Sequence, residues 1–326
     1  MKTLNFFDIK PQQIKNPIVT MGFFDGVHIG HQQLIQQVVN CAKERGGEPT
    51  VITFAEHPLK TITGSSPSSI TSLQKRLQLF AQLGIIHTLL IHFDKDIAQI
   101  SPEYFIEKFL VTNLQIKGIV IGENFRFGHK GKGTPLLLQS TGKEHNFLTD
   151  IQAHKKSTNE VVSSTKIRQA IKIGDCHSAR KMLSRPFSLC GIVIEGEKRG
   201  RELGFPTANL QLDHTLVPGD GVYIGTLLDD GKFYPCLISV GTNPTFDGQE
   251  TSTEVYIEGF DKQIYGNHLE VFVLDKIRGQ IKFDNIQELI AKMNEDRETL
   301  LQRFSKLQIP ISEWEKQIFS GKCYCK

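Results

Sequence analysis

The sequence predicts two domains, an α/β domain followed by a small antiparallel β-barrel, and three features of the pattern predict them. Up to about residue 183, short apolar runs alternate with amphipathic helical segments, which is typical of a parallel sheet. Strand-like runs then follow one another with only Gly, Asp, Asn or Pro turns between them, which favours a barrel. One long amphipathic segment follows the last of these runs. We therefore expect domains at residues 1–184 and 185–326.

Length and composition agree with two packed domains. The chain has 326 residues, of which 39% are hydrophobic. Its 38 basic and 35 acidic side chains are too balanced to indicate a nucleic-acid or membrane surface. We find neither an apolar run of membrane-spanning length nor a signal-peptide pattern, so we expect a cytoplasmic protein. The six cysteines are scattered, apart from Cys323 and Cys325 in the tail, and do not form a disulfide framework. Nothing in the sequence indicates an oligomeric state.

The elements of the first domain follow from apolar periodicity and from turn residues. Ile18–Met21 is an apolar run that suits a buried strand, and a helix follows it as far as the glycines at 46 and 47. Ser101 and Pro102 suit the cap and first turn of a later helix. Further strands are predicted over 50–54, 88–91 and 117–121, a helix over 72–83, and a surface loop over 64–69.

The segment at residues 22–31, GFFDGVHIGH, links the first predicted strand to the first helix. Gly22 and Gly26 permit the backbone angles of a tight turn. His28 and His31 are three residues apart where the helix begins, so both rings can face one point. Free N–H groups at a helix N-terminus, together with imidazoles, suit phosphate oxygens. The sequence therefore predicts a phosphate site here, with a plain turn bearing two solvated histidines as the alternative.

Two further segments carry polar groups that suit a ligand. Asn124 lies in GENFRFG at 122–128, beyond the carboxyl end of a predicted strand, where open α/β sheets bind ligands. The segment SSTKIR at 163–168 passes from extended chain into a helix. Its hydroxyls and the Arg168 guanidinium suit an anion, with an ordinary helix cap as the alternative.

These three segments resemble the motifs GxFDGVHxGH, GENFxFG and ISSTxIR of bacterial FAD synthetases, which are HxGH nucleotidyltransferases with a Rossmann-like fold. The resemblance implies that His28 and His31 hold ATP phosphates and stabilise charge as pyrophosphate leaves. It assigns Phe125 and Phe127 to the flavin, with a place in the core as the alternative. The resemblance also implies nucleotide or phosphate contacts for Gly22, Phe24, Asp25, Gly26, Gly30, Asn124, Ser164, Thr165 and Arg168.

The second half begins after two short predicted helices, at 166–173 and 175–183. Its strands are predicted over 189–195, 222–228, 235–240, 253–257 and 269–274, and its helix extends from Ile286 to Phe304. The segment at 200–210, GRELGFPTANL, is too rich in special backbone residues to be a simple strand.

Oxygen ligands and two carboxylates are the candidate chemical groups of this half. The Thr207 hydroxyl and the Asn209 carbonyl suit Mg²⁺, a hard cation, beside nucleotide phosphates. A carboxylate beside such a site can accept or orient a proton. Glu254 and Glu258 share one face of a predicted strand, so the alternation of side chains does not choose between them.

This half resembles riboflavin kinases, through GxxLGFPTANL, a PxxGVYxG-like segment at 218–225 and SVGxNPTF at 239–246. The resemblance implies a Greek-key barrel in which Glu254 is catalytic, Thr207 and Asn209 hold Mg²⁺, and Arg278 contacts flavin or phosphate. It adds Gly204 and Pro206 to the nucleotide-binding residues. The chain departs from the family at Ser184, where LGR is usual, and at Glu202, a commonly basic position; these departures concern local packing or ATP affinity.

The two sets of motifs together imply a bifunctional enzyme of flavin cofactor synthesis. Its barrel phosphorylates riboflavin to FMN, and its α/β domain adenylylates FMN to FAD with release of pyrophosphate, with Mg²⁺ in both steps. ATP, riboflavin and FMN are the expected partners, and no nucleic acid or membrane is expected. Two alternatives are a flavin- or nucleotide-binding regulator with little turnover and a chain in which only one half is active.

Overall fold

The computed structural model describes residues 1–153, 156–157, 160–196, 200, 203–213, 216–245 and 248–306. The chain divides into two compact units. The first comprises Met1–Pro67 and Leu73–Ser163, and the second comprises Ser68–Ser72 and Ser164–Lys326. The two short helices before residue 185 therefore group with the second unit. The domain ranges 1–184 and 185–326 stay a prediction.

A parallel sheet with helices forms the first unit, as the alternating pattern predicts. Its strands are β1 (Lys2–Asn5), β2 (Ile18–Met21), β3 (Pro49–Phe54), β4 (His87–Ile91), β5 (Gly118–Gly122) and β6 (Leu148–Gln152). Its helices are α1 (Ile29–Arg45), α2 (Pro58–Thr63), α3 (Leu73–Gln82), α4 (Pro102–Tyr104, continued by a π-helix over Phe105–Asn113) and α5 (Pro135–His145). The elements β1, β6, α2 and α5 were not predicted from the sequence. A short hairpin, β7 (Lys156–Ser157) and β8 (Glu160–Val161), follows β6.

The strand order β1-β4-β3-β2-β5-β6 explains where a ligand can bind. Every described pair in this sheet is parallel. From β2 the chain builds outward to β3 and β4 on one side and then returns to place β5 and β6 on the other. The order therefore reverses between β2 and β5, and ligands bind beyond the carboxyl ends of strands at such a point. The segments 22–31 and 122–128 are the loops that begin there.

Capping residues mark where two helices of this unit begin or end. The Ser101 hydroxyl accepts a hydrogen bond from the Tyr104 N–H, with Pro102 in the first turn, as predicted. Helix α1 ends at Gly46, whose φ of 60° suits a residue without a Cβ. Apolar side chains of α1, among them Ile35 and Val38, are buried.

The second unit is built around a closed antiparallel barrel with the strand order β10-β13-β12-β11-β14-β9. Its elements are α6 (Ser164–Ile173), α7 (Cys176–Leu183), β9 (Phe187–Ile194), β10 (Thr207–Leu212), β11 (Gly221–Asp229), β12 (Lys232–Thr245), β13 (Gly248–Ile257), β14 (His268–Arg278) and α8 (Ile286–Lys306). Strands β11, β12 and β13 form a meander, and β14 returns beside β11. This arrangement is a Greek key, as the resemblance implies.

As expected, the 200–210 segment is not a simple strand, because only its positions 207–210 belong to β10. Thr207–Leu212 pairs with β13 on one side and with β9 on the other. A closed barrel has no free edge, so both sides of this segment find hydrogen-bonding partners. The special residues Gly204 and Pro206 precede the strand. Of this segment, positions 201 and 202 lie outside the described residues, and with them the Glu202 departure.

Helix α8 packs on the barrel as the amphipathic pattern predicts. Leu300 is buried in a cluster with side chains of the barrel wall, which are Val222, Ile224, Leu237 and Leu274. At the other end of the unit, α7 stops at Ser184, whose φ of 59° lies in the left-handed region. This is the position at which the related motif has glycine, the residue that adopts such an angle with least strain.

Candidate active sites

The β2–α1 turn adopts a strained backbone that begins the first candidate site. Phe24 and Val27 have φ angles of 54° and 39°, and Gly26 lies between them at 79°. Left-handed angles cost a non-glycine residue about 1–2 kcal/mol, and a β-branched residue rarely adopts them. The Val27 N–H donates to the Phe24 carbonyl at 3.0 Å, and the Gln32 amide donates to the Val27 carbonyl at 2.8 Å. These contacts hold the turn in a shape that the chain would not adopt alone.

The two histidines of the motif lie face to face at the start of α1. Their ring centroids are 3.6 Å apart at an interplanar angle of 17°. His28 caps the helix, because its Nδ1 accepts a hydrogen bond from the His31 N–H at 3.3 Å. The Phe24 ring stands edge-on to His31. The sequence prediction that both rings can face one point is consistent with this stack.

The environment of His31 favours its neutral form. Burial, and after it the neighbouring His28, lower the pKa of the His31 imidazole well below its usual value. Within the described part of the chain, His31 Nδ1 is buried without a hydrogen-bond partner. An anion that approached the pair would supply the negative charge that favours a protonated ring.

Beside this turn lies an apolar pocket of about 460 Å³, within the range of small-molecule sites. Gly22 and Phe23 contribute one wall, and the loop after β5 contributes another, with Asn124, Phe125 and Phe127. The Phe125 and Phe127 rings are stacked with centroids 5.6 Å apart. Phe127 also belongs to the buried core cluster, against which Phe125 packs. Both rings therefore pack with the core and line the pocket, and their contact with the flavin stays a prediction.

The structure separates the predicted residues of this unit into two groups. Gly22, Asn124, Phe125 and Phe127 line the pocket. The other group continues from the pocket wall along the β2–α1 turn and consists of Phe24, Asp25, Gly26, His28, Gly30 and His31. Ser164, Thr165 and Arg168 begin α6 in the second unit, and their predicted phosphate contacts stay a prediction. Thr165 is exposed, and the Arg168 Nε–H donates to the Ser68 carbonyl at 2.9 Å.

Sequence reasoning missed Arg76, which is buried beneath the β2–α1 turn. Its guanidinium donates to the Phe23 carbonyl at 2.6 Å and to the Phe54 carbonyl at 3.1 Å. The spacing of α3 contained the signal. Arg76 precedes the buried Leu79 and Phe80 by three and four residues, which places it on the apolar face of the helix.

The second candidate site is a cavity of about 280 Å³ in the barrel unit. Thr207, Glu254 and Arg278 line it, together with Tyr256 and Asp296. The Thr207 hydroxyl donates to Glu254 Oε2 at 3.2 Å. Asn209 is the direct register partner of Glu254 across the β10–β13 pair. The barrel therefore brings together the hydroxyl, amide and carboxylate residues that the sequence singles out.

The two candidate glutamates have different surroundings. Glu258 follows the end of β13 and accepts two hydrogen bonds from Arg297 of α8, both at 2.6 Å, and a third from the Tyr256 hydroxyl. The Arg297 contact is the main cause that lowers the pKa of Glu258. Glu254 lines the cavity beside Thr207, whereas Glu258 is held in an ion pair with the helix.

Arg278 lines the cavity, and its guanidinium is paired there with the carboxylate of Asp296. Its Nε–H group contacts both carboxylate oxygens of Asp296, and its Nη2 lies 2.7 Å from Oδ2. The side chains of Arg278 and Asp296 are only 14% and 4% exposed. The predicted contact of Arg278 with flavin or phosphate stays a prediction.

Thr207 also borders a smaller cavity of about 130 Å³. Pro206, Ala208 and apolar side chains of β9 and β13 line this cavity as well. Gly204 lines neither cavity; its φ of 82° makes the turn before β10. The Asn209 amide packs directly on Gly196, where a Cβ would lie 2.0 Å from Nδ2. Thr207 therefore borders both cavities.

The donor set fits Mg²⁺ only if a nucleotide completes it. Among the described residues, no three His, Cys, Asp or Glu side chains are grouped as a metal site. Thr207, Asn209 and Glu254 supply oxygen atoms, and Mg²⁺ in such sites takes its other ligands from phosphates and water. No helix in the described part of the chain is both long and apolar enough to span a membrane.

Comparisons with known proteins assign both halves. The family model for FAD synthetase matches residues 10–166, and the model for riboflavin kinase matches residues 183–304. The bifunctional riboflavin kinase/FMN adenylyltransferase of Listeria monocytogenes is 34% identical over 90% of this chain and 94% of its own length. The enzyme of the same name from Bacillus subtilis is 32% identical over 92% of this chain and 96% of its own length.

A solved structure shows the same fold over most of the chain. It is that of a protein from Streptococcus pneumoniae named as a macrolide-efflux protein, with a TM-score of 0.84 and 32% identity. The similarity covers 92% of this chain and 99% of that one. By sequence and by architecture, this chain belongs to the family of bifunctional riboflavin kinases/FMN adenylyltransferases.

Proposed function

We propose that the chain converts riboflavin to FMN in the barrel unit and FMN to FAD in the α/β unit, with ATP as the second substrate of each reaction. The family supplies the two activities. The contact between Thr207 and Glu254, on the wall of the barrel cavity, supports the first assignment most directly. The histidine stack beside an aromatic pocket supports the second.

In the kinase reaction, Glu254 accepts the proton of the ribityl 5′-hydroxyl as that oxygen attacks the γ-phosphorus of ATP. The bond between this phosphorus and the bridging oxygen breaks, and ADP leaves. Riboflavin occupies the cavity that Glu254 and Tyr256 line, and the phosphates of ATP lie near Thr207, which also borders the smaller cavity beside Pro206. Thr207 and Asn209 would hold Mg²⁺ with the ATP phosphates. When bound there, the ion neutralises charge on the transferred phosphoryl group.

In the adenylyltransferase reaction, a phosphate oxygen of FMN attacks the α-phosphorus of ATP, and the bond to pyrophosphate breaks. The isoalloxazine ring occupies the apolar pocket against Phe125 and Phe127. His28 and His31 contact the phosphates from the start of α1, where the helix dipole also favours negative charge. Positioning and charge stabilisation suffice for this step, without a covalent intermediate on the enzyme.

Two variants of the full chain test this division of labour. With riboflavin, ATP and Mg²⁺, His28→Ala should accumulate FMN and form little FAD. Glu254→Gln should form little FMN from riboflavin but should still convert supplied FMN to FAD. Separation of the flavins by chromatography measures both reactions in one sample. Equal loss of both reactions in either folded variant would contradict the assignment.

The same assay separates the proposal from its alternatives. A regulator would bind riboflavin and ATP and return riboflavin unchanged. A chain with one active half would stop at FMN or would require supplied FMN, without any substitution.

A further inference from the structure

Arg76 is a buried cation that the two proposed reactions do not use. It lies in the middle of α3 and is only 2% exposed. Its hydrogen bonds among the described residues go to three carbonyls, of Phe23, Phe54 and Ala55, and to the hydroxyl of Thr53. Burial lowers its pKa to about 10, while the charge of Asp25 acts in the opposite direction. The side chain therefore stays charged at neutral pH.

These carbonyls lie where two neighbouring strands leave the sheet. Phe23 follows β2, and Phe54 and Ala55 end β3 and follow it. A planar guanidinium can bridge several carbonyls in fixed directions, which an apolar side chain of the same volume cannot do. The guanidinium also lies over the Phe23 ring, 4.3 Å from its centroid, and His57 packs against the same ring at 4.5 Å.

The bridged residues form part of the proposed FMN adenylyltransferase site. Phe23 and Phe54 line the apolar pocket. The strained turn that carries His28 and His31 begins at the residue after Phe23. A guanidinium that joins the Phe23 carbonyl to the end of β3 thus sets the pocket wall and the phosphate-binding turn relative to each other. Burial of a cation among backbone carbonyls is costly, so an apolar residue would be the better choice for stability alone.

We propose that Arg76 is a positioning residue for FMN adenylylation, which holds the Phe23 wall and the His28–His31 turn in their reactive arrangement. This inference rests on the proposed function of the α/β unit. Arg76 does not contact the reacting atoms in this scheme. It acts through the Phe23 carbonyl and ring.

Three substitutions in the full chain test the proposal. Riboflavin phosphorylation in the same sample reports on the barrel unit, and urea denaturation of each variant reports whether the α/β unit stays folded. Arg76→Met should lower kcat for FAD formation by about 100-fold, the cost of a misplaced reacting group, with less than a threefold change in kinase activity. The kcat of Arg76→Lys for FAD formation should lie between those of Arg76→Met and the unsubstituted chain, because an ammonium keeps the charge but lacks the planar set of guanidinium N–H donors. Arg45→Met, at an exposed arginine that ends α1, should leave both rates within twofold.

Rescue by guanidinium distinguishes positioning from general stability. In Arg76→Ala, millimolar guanidinium chloride should raise the rate of FAD formation at least fivefold and saturably, whereas sodium chloride and methylammonium chloride should not. The kinase rate should not respond. The proposal would be overturned if guanidinium raised both activities in parallel, or if it did not raise the rate of FAD formation.

The remaining outcomes are also decisive. If Arg76→Met loses both activities, Arg76→Lys decides, because loss of FAD formation with the kinase rate retained supports the proposal. If Arg76→Lys keeps both the kinase rate and the rate of FAD formation within threefold, or loses both in proportion, the proposal is contradicted. His28→Ala is run alongside. If that variant still forms FAD, the proposed site itself is wrong; if it does not, while Arg76→Met forms FAD at the rate of the unsubstituted chain, only the role of Arg76 is wrong.

Discussion

Two glutamates four residues apart occupy different environments, and a matched pair of variants should separate their roles. Glu254→Gln should lower the rate of riboflavin phosphorylation by about 10²–10⁴, the usual contribution of a positioned general base, with little change in stability. Glu258→Gln should keep most of the kinase rate but lose roughly 1–2 kcal/mol of unfolding free energy, because it weakens the contacts with Arg297. Initial rates and urea denaturation measure the two effects. The opposite pattern would assign the catalytic role to Glu258.

His31 should make the stability of the protein depend on pH. Because its pKa is lower in the folded chain than the ordinary value of 6.5, the unfolded chain binds more protons between these two values. The contribution of His31 to the unfolding free energy is therefore fully present above about pH 6.5 and declines as the pH falls toward its folded pKa. Denaturation curves measured from pH 5 to 8 give the unfolding free energy at each pH, and this free energy should change less steeply with pH in His31→Gln than in the unsubstituted chain. His145→Gln, at an exposed histidine, should retain the slope of the unsubstituted chain.

At the scale of elements, the left-handed position after α4 should be improved by glycine. Gln115 is exposed and has a φ of 53°, an angle that glycine adopts without strain. Gln115→Gly should raise the unfolding free energy by about 1 kcal/mol. The same change at Gln139, exposed within α5, should lower it by a similar amount, because glycine is a poor helix residue. Thermal or urea unfolding measures both, and a loss of stability in Gln115→Gly would contradict the backbone argument.

The ion pair between Arg278 and Asp296 should hold α8 on the barrel. Asp296→Asn leaves a largely buried guanidinium without its carboxylate and should cost roughly 3 kcal/mol of unfolding free energy. The double variant Arg278→Met with Asp296→Leu should recover much of that loss, since no buried charge remains. Asp275→Asn removes the partner of Arg303 in a pair that is about half exposed and should cost less than about 1 kcal/mol. Equal losses in the two single variants would contradict the role of burial.

At the scale of the whole molecule, the two activities should complement each other between chains. A mixture of His28→Ala and Glu254→Gln should form FAD from riboflavin, because the first chain supplies FMN and the second adenylylates it. The rate should rise with the concentration of either variant until the other becomes limiting, and chromatography of the flavins follows it. A mixture of two active-site variants of the same half, Glu254→Gln with Thr207→Ala, is the matched control and should form neither FMN nor FAD. FAD formation no faster in the first mixture than in the control would contradict two separable activities.

The sequence alone determined the classes of the two folds and the chemical character of their sites. Alternation of strands and helices predicts the parallel sheet, and turn-separated strands predict the barrel, because both patterns come from residues that are close in the chain. The motif around His28 and His31 and the motif around Thr207 are also local. Each is a short run whose backbone angles and polar groups suit a ligand. For this reason both motifs can be recognised from the order of their residues.

Only the tertiary structure decided which groups lie together across long separations in the chain. Glu254 faces Thr207 and Glu258 binds Arg297, although strand periodicity makes the two glutamates equivalent. Arg76 meets the Phe23 carbonyl from 53 residues away, and Thr207–Leu212 becomes a strand because the closed barrel offers partners on both sides. Periodicity specifies which face of an element is apolar, but the partner on that face depends on how distant elements pack. The placement of Arg76, Asp296 and Glu254 is therefore a property of the folded chain.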